Sequence, residues 1–182
     1  MSTLKIALAG QLGAGCTEVA EAISNETGAK VYNSESIIKK LVIERGESFA
    51  GFQEHIRSGE INLDRILESY TYEVVNAESK VIVEGRAAFF LIPRRNFLKV
   101  LLVADKRARA EHISKVRGVS LAEAMREIEV SDDEREALVR RFYRLNWLDP
   151  CLYHLVLNTT GLDAAIVAKL ILDAYNVYVK QL

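Results

Sequence analysis

Short apolar runs separated by longer stretches of helical spacing constrain this chain more than any other feature. Leu4 to Ala9, Val81 to Val83, Leu98 to Val103 and Leu155 to Leu157 read as strands, and Lys30 to Tyr32 adds a shorter one. Their cores are apolar throughout and do not alternate, as in strands buried on both faces. Between them lie Thr17 to Ser24, with Val19, Ala20 and Ile23 at helical spacing, and Ser36 to Glu44. Leu63, Ile66, Leu67, Tyr70 and Val74 then recur at steps of three and four, the stripe of an amphipathic helix. Charged helical stretches over 105–116 and 121–144 flank Gly118, and Leu162 to Val179 closes the pattern with Ile166, Leu170, Ala174 and Val177 on one side. Strands alternating with helices predict an α/β fold of three layers, a five-stranded parallel sheet covered by helices on both faces. Ligands of such sheets bind beyond the carboxyl ends of the strands, so the residues after each strand are where chemistry is expected.

The 182 residues contain only two prolines and no Gly/Ser-rich linker, which predicts one domain spanning 1–182. With 24 Lys+Arg against 25 Asp+Glu, bulk charge gives no reason to expect binding to nucleic acid or to an anionic membrane. Two cysteines, Cys16 and Cys151, are too few for a disulfide framework or a four-cysteine zinc site. No apolar run is long enough to span a bilayer, and residues 1–5 lead into a strand without a signal-peptide layout. A reduced, cytoplasmic protein is the expectation.

The first strand runs into Gly10-Gln11-Leu12-Gly13-Ala14-Gly15-Cys16-Thr17, which opens a helix. The phosphate-cradling template is G-x-x-x-x-G-K-[ST]; Gly10, Gly15 and Thr17 fit it, and Cys16 occupies the lysine position. Glycines let the backbone wrap an anion, and free amides at a helix start point at phosphate oxygens. Thr17 could offer its hydroxyl to Mg²⁺. Cys16 reads either as a thiol acidified by the helix start or as a small neutral filler, the latter favoured because a thiolate would repel phosphate.

Glu84-Gly85-Arg86 follows the Val81–Val83 core, where a carboxylate could hold Mg²⁺ through water and an arginine could grip phosphate with its two-pronged fork. The competing reading is a surface salt bridge. Nine Lys/Arg side chains between Arg107 and Arg144 are nearly balanced by acids, so most lie on solvated helix faces. A few would be expected to close over transferring phosphates. His55, His112 and His154 share no spacing and read as structural, and Trp147 and Tyr153 read as packing. Tyr175 and Tyr178 of the last helix are assigned to the core in preference to a dimer patch.

Three stretches carry a resemblance to a known family: Gly13-Ala14-Gly15 opening a helix, Val81 to Arg86, and a long run from Asp133-Glu134-Arg135 through Arg140-Arg141-Phe142-Tyr143, Trp147, Asp149-Pro150 and Leu152-Tyr153 to Thr159. In these the chain resembles the cytidylate kinase-like nucleoside monophosphate kinases of the P-loop superfamily, over nearly its whole length. The resemblance implies a P-loop NTPase fold with a monophosphate-binding helical region at 33–76 and a small helical lid at 106–144. It implies transfer of the γ-phosphoryl group of ATP to a nucleoside monophosphate, typically CMP or dCMP, with Mg²⁺. Gly10, Gly13, Ala14, Gly15, Cys16 and Thr17 would then wrap the ATP phosphates, with Asn158 and the loop to Gly161 beside the adenine. Ser34 would open the monophosphate-binding helix, Lys39 would stand where relatives carry an arginine, and Gly85 and Arg86 would meet the acceptor phosphate. Arg86, Arg135 and Arg141 would stabilise the reacting phosphates, and Thr17 and Glu84 would serve the metal. With Cys16 in the lysine position, a lid arginine must supply the missing charge. The alternatives are a nucleotide-binding regulatory protein with weak or no turnover, or a kinase of another small acceptor. Partners are ATP and a nucleoside monophosphate, and the chain is expected as a monomer or homodimer.

Overall fold

The computed structural model describes residues 3–181. In chain order it comprises β1 (Leu4–Gly10), α1 (Cys16–Thr27), β2 (Lys30–Tyr32), α2 (Ser34–Arg45), α3 (Phe49–Arg57), α4 (Leu63–Ala77) and β3 (Lys80–Glu84). A 3-10 segment (Gly85–Leu91), β4 (Leu98–Val103), α5 (Lys106–Arg117), α6 (Leu121–Tyr143), β5 (Leu155–Asn158) and α7 (Ala164–Tyr178) follow. The strands form one parallel sheet in the order β2-β3-β1-β4-β5. Register pairs Leu8 of β1 with Glu84 of β3 and with Val100 of β4, and Gly10 with Leu102. The central strand therefore runs two residues beyond the level of Glu84, to Gly10 at the sheet's carboxyl edge.

The side chains sort by strand alternation into two cores. Ile6, Leu8, Ile82, Val100 and Leu102 pack with Val19 and Ile23 of α1 and Ile171 of α7. Ala7, Ala9, Val81, Val83 and Leu101 pack with Ile37 of α2, Leu67 and Val74 of α4, Phe89 and Phe90 of the 3-10 segment, and Leu138 and Val139 of α6. These two cores are the physical content of the expected three layers. Each fully buried Ile, Leu or Phe contributes roughly 1.5–3 kcal/mol relative to exposure. Trp147 belongs to the second core, its ring edge-on to Phe89 at 5.6 Å, and Tyr153 donates to the Trp147 carbonyl at 2.7 Å. Both pack, as expected.

The expected strands and most expected helices are present, with three differences. Phe49–Arg57 is a helix, N-capped by Ser48, that the sequence pattern does not announce; Phe52 is its sole buried residue and Gly51 lies inside it. Leu162 to Val179 narrows to Ala164–Tyr178, and the side that carries Ile166, Leu170 and Val177 is not the one that packs. Ile166, Leu170 and Val177 are exposed, and the helix buries Val167, Ala168, Ile171, Leu172 and Tyr175. Apolar residues surround much of this helix, so two stripes one residue apart compete and spacing cannot choose between them. Tyr175 is core, its hydroxyl donating to the Thr3 carbonyl at 3.1 Å. Third, α6 divides its allegiance. Ala124 and Ile128 join Ala110 and Ile113 of α5 in a small separate cluster with Leu12, whereas Leu138 and Val139 lie in the main core. Among the described residues no helix is long and apolar enough to cross a membrane.

Candidate active site

β1 ends at Gly10, and the turn that follows is tied down by backbone bonds. Gln11 N–H donates to the Leu102 carbonyl at 3.0 Å, Ala14 N–H to the Gln11 carbonyl at 3.0 Å, and the Gln11 side chain accepts from Ala104 N–H at 3.2 Å. Gly13 and Gly15 have φ of 83° and 84°, a region L side chains avoid. A Cβ at Gly13 would stand 2.7 Å from the Arg109 carbonyl oxygen, so the loop touches the α5 backbone there. At α1 the N-cap Gly15 offers no side-chain acceptor, which leaves the first amides of the helix uncapped.

Thr17 and Glu84 meet beneath this loop. Thr17 Oγ1 donates to Glu84 Oε1 at 3.3 Å, and Asn33 Nδ2 donates to the same oxygen at 2.8 Å. Glu84 is 5 % exposed, and burial raises its pKa despite those two donors. Among the described residues no group of three or more His, Cys, Asp or Glu is placed to hold a metal. Mg²⁺ does not require one: it retains waters and takes one or two protein oxygens together with phosphate oxygens. Thr17 and Glu84 are hard oxygen donors side by side at the phosphate loop and fit that pattern. Asn33 also caps α2 through Ser36 N–H at 2.9 Å, and the adjacent Ser34 hydroxyl is buried without a partner.

Two arginines from the α5–α6 hairpin reach the loop's carbonyls. Arg135 Nε donates to Gly10 O at 3.0 Å and Arg109 Nη1 to Leu12 O at 3.3 Å. Both are buried. Burial lowers the pKa of Arg135, and the neighbouring charge of Arg86 acts in the same direction; a guanidinium stays ionised regardless. Arg135, Thr17, Glu84 and Cys16 line one cavity of about 230 Å³ with the loop. A second cavity of about 290 Å³ adjoins it, lined by Ala14, Glu18, His112, Thr160, Gly161 and Val167 among others.

Of the residues expected from sequence, Gly10, Gly13, Gly15, Cys16, Thr17, Glu84, Gly85 and Arg135 come together around the first cavity. Ala14 and Gly15 border the second. Burial pushes the pKa of the Cys16 thiol up to about 12, with Glu84 adding to it, which favours the neutral filler over an acidified thiol. Arg86 forms an ion pair with Glu134, and its charge acts on Arg135. Arg141 is elsewhere: it pairs with Asp64 at the start of α4 and lies over the Phe142 ring. Lys39 is exposed on α2, 2.7 Å from Glu35. Asn158 accepts from Thr160 N–H at 3.0 Å, and it is Thr159 to Gly161 that border the second cavity.

Sequence reasoning gave no separate role to Thr159 or Arg109 and read His112 as structural. Thr159 Oγ1 donates to the Ala14 carbonyl at 3.0 Å, joining the end of β5 to the loop; its signal was its place directly after a strand. His112 borders both cavities and pairs with Glu18 at 2.9 Å, so it belongs to the site and not merely to packing. His154 is structural, its Nδ1 accepting from Lys99 N–H at 2.9 Å.

Known proteins resemble this chain in fold and in sequence. The structure superposes on an uncharacterized protein from Eubacterium ventriosum with a TM-score of 0.74 at 15% identity, over 95% of this chain and 98% of that one. A shikimate kinase from Acinetobacter baumannii gives a TM-score of 0.62 at 16% identity, over 95% and 93% of the two chains. At such identities the likeness speaks for the fold alone. In sequence, the chain is 26% identical to a cytidylate kinase of Archaeoglobus fulgidus over 174 residues, 96% of each protein. It is 27% identical to a cytidylate kinase of Methanobrevibacter smithii over 172 residues, 94% of this chain and 98% of the relative. A sequence model of the cytidylate kinase-like family matches residues 5–161. With the phosphate loop, the strand-end carboxylate and the arginine-bearing hairpin all within that span, the chain belongs to the cytidylate kinase-like family.

Proposed function

We propose that this protein transfers the γ-phosphoryl group of ATP to CMP or dCMP. The observation that carries the reading is the loop Gly10–Thr17, whose uncapped α1 amides border the same cavity as Thr17, Glu84 and Arg135. Relatives named cytidylate kinase supply the acceptor class. An oxygen of the acceptor phosphate attacks the γ-phosphorus, the bond to the β,γ-bridging oxygen breaks, and ADP and CDP leave. No protein base is needed, because the attacking group is already an anion; positioning and charge neutralisation are the protein's share. The loop amides bind the donor phosphates, and Arg86, Arg135 and Arg141 balance the charge that spreads in the transition state. Mg²⁺, held through Thr17 and Glu84, supplies a further positive centre for the donor phosphates when bound. Region 33–76, with Ser34 and Lys39, receives the acceptor together with Gly85 and Arg86, and Asn158 with the loop to Gly161 flanks the adenine. Arg141 and Lys39 are engaged with Asp64 and Glu35, so their part in the reaction requires those exposed pairs to open. Region 106–144 serves as the lid, its mobile part being α5 and the first half of α6, because Leu138 and Val139 are anchored in the core.

The test is a coupled assay of ADP release with CMP, dCMP, UMP and AMP as acceptors. Turnover with CMP or dCMP well above that of Arg86→Ala supports the reading; no acceptor-dependent turnover rejects it. The half-buried neutral thiol in the lysine position favours one rival, a nucleotide-binding regulatory protein without turnover. CDP formed by the purified chain eliminates that rival.

A further inference from the structure

We propose that Glu18 of α1 and His112 of α5 form an electrostatic gate across the donor site: the Glu18 carboxylate opposes entry of the polyphosphate, and His112 restrains that carboxylate. The proposal rests on the ATP-binding reading and concerns two residues to which that reading assigns no part. The two side chains meet at 2.9 Å and so join α1 to α5 beside the phosphate loop. Both line the cavity shared by Thr17, Glu84 and Arg135, and both line the adjoining cavity bordered by Thr160 and Gly161. A triphosphate in the first cavity with its nucleoside in the second therefore passes the pair. At 41% and 36% exposed, neither side chain is locked by packing, so the contact can part and re-form.

The position of Glu18 sets the sign of its effect. It is the acid of the first turn of α1, whose N-cap Gly15 provides no side-chain acceptor. The amino end of a helix carries about half a positive charge, which a carboxylate in the first turn offsets. An incoming phosphate seeks the same partial charge and the same amides. The resident anion and the arriving one thus compete for a single positive end. The field of Glu18 reaches the phosphate cavity. There the Cys16 thiol is raised by burial and then by Glu84, the Glu84 carboxyl is raised by burial, and the Glu18 charge adds to both. With Cys16 in the lysine position, the loop itself brings no side-chain cation to offset that field. His112 does so from the facing helix, by donating to the carboxylate. Unpaired, the carboxylate would turn its full charge on the passage between the two cavities.

The experiment is calorimetric binding of Mg²⁺·ATP to the full chain and to Glu18→Gln, Glu18→Asp, His112→Ala and the double variant Glu18→Gln with His112→Ala. Glutamine keeps the size of Glu18 and an oxygen for His112 but removes the charge; aspartate keeps the charge. The expected result is binding about 3–10-fold tighter in Glu18→Gln, the scale of one partly screened charge near the phosphates, and a smaller gain at high salt. Glu18→Asp should show no gain. His112→Ala should weaken binding, and should weaken it less when Glu18 is already glutamine, because the residue acts through that carboxylate. Parent-like or weaker affinity in Glu18→Gln overturns the proposal, as does an equal gain in Glu18→Asp, which would mean room and not charge. A loss on His112→Ala that is the same in both backgrounds overturns the pairing, since His112 would then serve the ligand directly. Should Glu18→Gln show no cooperative melting transition, the direction of the change in His112→Ala decides. A parent that does not bind ATP removes the nucleotide reading and this one together; a parent that binds while Glu18→Gln matches it removes only this one.

Discussion

Arg109 of α5 and Asp132 of α6 form an ion pair at 2.9 Å directly over the phosphate loop, and the same guanidinium donates to Leu12 O. The arginine side chain is 5% exposed and the aspartate 27%. The pair therefore joins three segments distant in sequence: the two helices of the hairpin and the loop beneath them. Arg109→Ala leaves the Leu12 carbonyl and the Asp132 carboxylate short of a donor. Partial access of water to Asp132 limits the cost to about 1.5–3 kcal/mol, the range for bonds to a charged group. Urea unfolding should show that loss, with nucleotide affinity falling because the loop loses its brace. A stability change below about 0.5 kcal/mol, the level of an ordinary surface substitution, would contradict a structural role.

Gly13 and Gly15 share nearly the same backbone angles and should respond differently to alanine. Both substitutions carry the strain of a left-handed φ, about 1–2 kcal/mol. Only at Gly13 does the new methyl meet backbone, with Arg109 O at 2.7 Å; at Gly15 nothing lies within 4 Å. Gly13→Ala should therefore be the more destabilising by at least about 1 kcal/mol, since backbone cannot turn aside as a flexible side chain can. Equal denaturation midpoints for the two variants would refute the contact between loop and α5.

The last helix offers a test of which face is core. Ile171 is fully buried and Ile166 is half exposed. Ile171→Ala should cost about 2–5 kcal/mol and Ile166→Ala less than about 0.5 kcal/mol. Thermal melts of the pair suffice, and the reverse order would mean that the Ile166 side is the one that packs.

That helix marks the boundary of what the sequence made legible. The strands were readable because an apolar run between glycines and polar residues has few other fates, and β1, β3 and β4 form where expected. The loop was readable because Gly10, Gly15 and Thr17 stand in a fixed spacing whose physical demand is local. The α7 face was not, since apolar residues on most of its circumference leave the choice to tertiary packing. Nor was the loop's clamp. The resemblance named Arg135, but by spacing alone Arg109 and Arg135 look like any other arginine of a charged hairpin, and only folding brings Gly10 and Leu12 beneath them. Arg141, with the same local pattern as Arg135, turns instead to Asp64 because six residues along a helix point it to a different side.

Cys16 and Cys151 should differ in reactivity by far more than their sequence context implies. Cys151 is exposed, whereas the Cys16 thiol lies against Gly10 with its pKa pushed up to about 12. The thiolate is the reacting species, so at pH 8 Cys16 holds very little of it. Titration of the native protein with a disulfide reagent should give one fast equivalent, lost in Cys151→Ser, and two equivalents after denaturation. Rapid modification of Cys16 in the folded chain would mean that the thiol is acidified by the helix start.

Glu84 gives the chain a pH dependence opposite in sign to that of most carboxylates. Burial raises its folded pKa above the ordinary 4.5, so the folded state holds its proton more tightly than the unfolded state does. As pH rises from the ordinary value through the raised one, the unfolded chain ionises first and stability falls; above both values the loss is constant. Glu84→Gln removes this titration and keeps an oxygen to accept from Asn33 and Thr17. Denaturant midpoints of parent and variant, measured from pH 4 to pH 8 with chelator present, should diverge across that window, the variant becoming the more stable toward neutral pH. Other titrating groups are common to both chains and cancel in the difference, so parallel curves would rule the effect out. The same substitution should lower phosphoryl transfer, because a neutral amide is a poorer metal partner than a carboxylate. A buried charge that weakens the fold and strengthens activity is what a strand-end carboxylate kept for Mg²⁺ predicts.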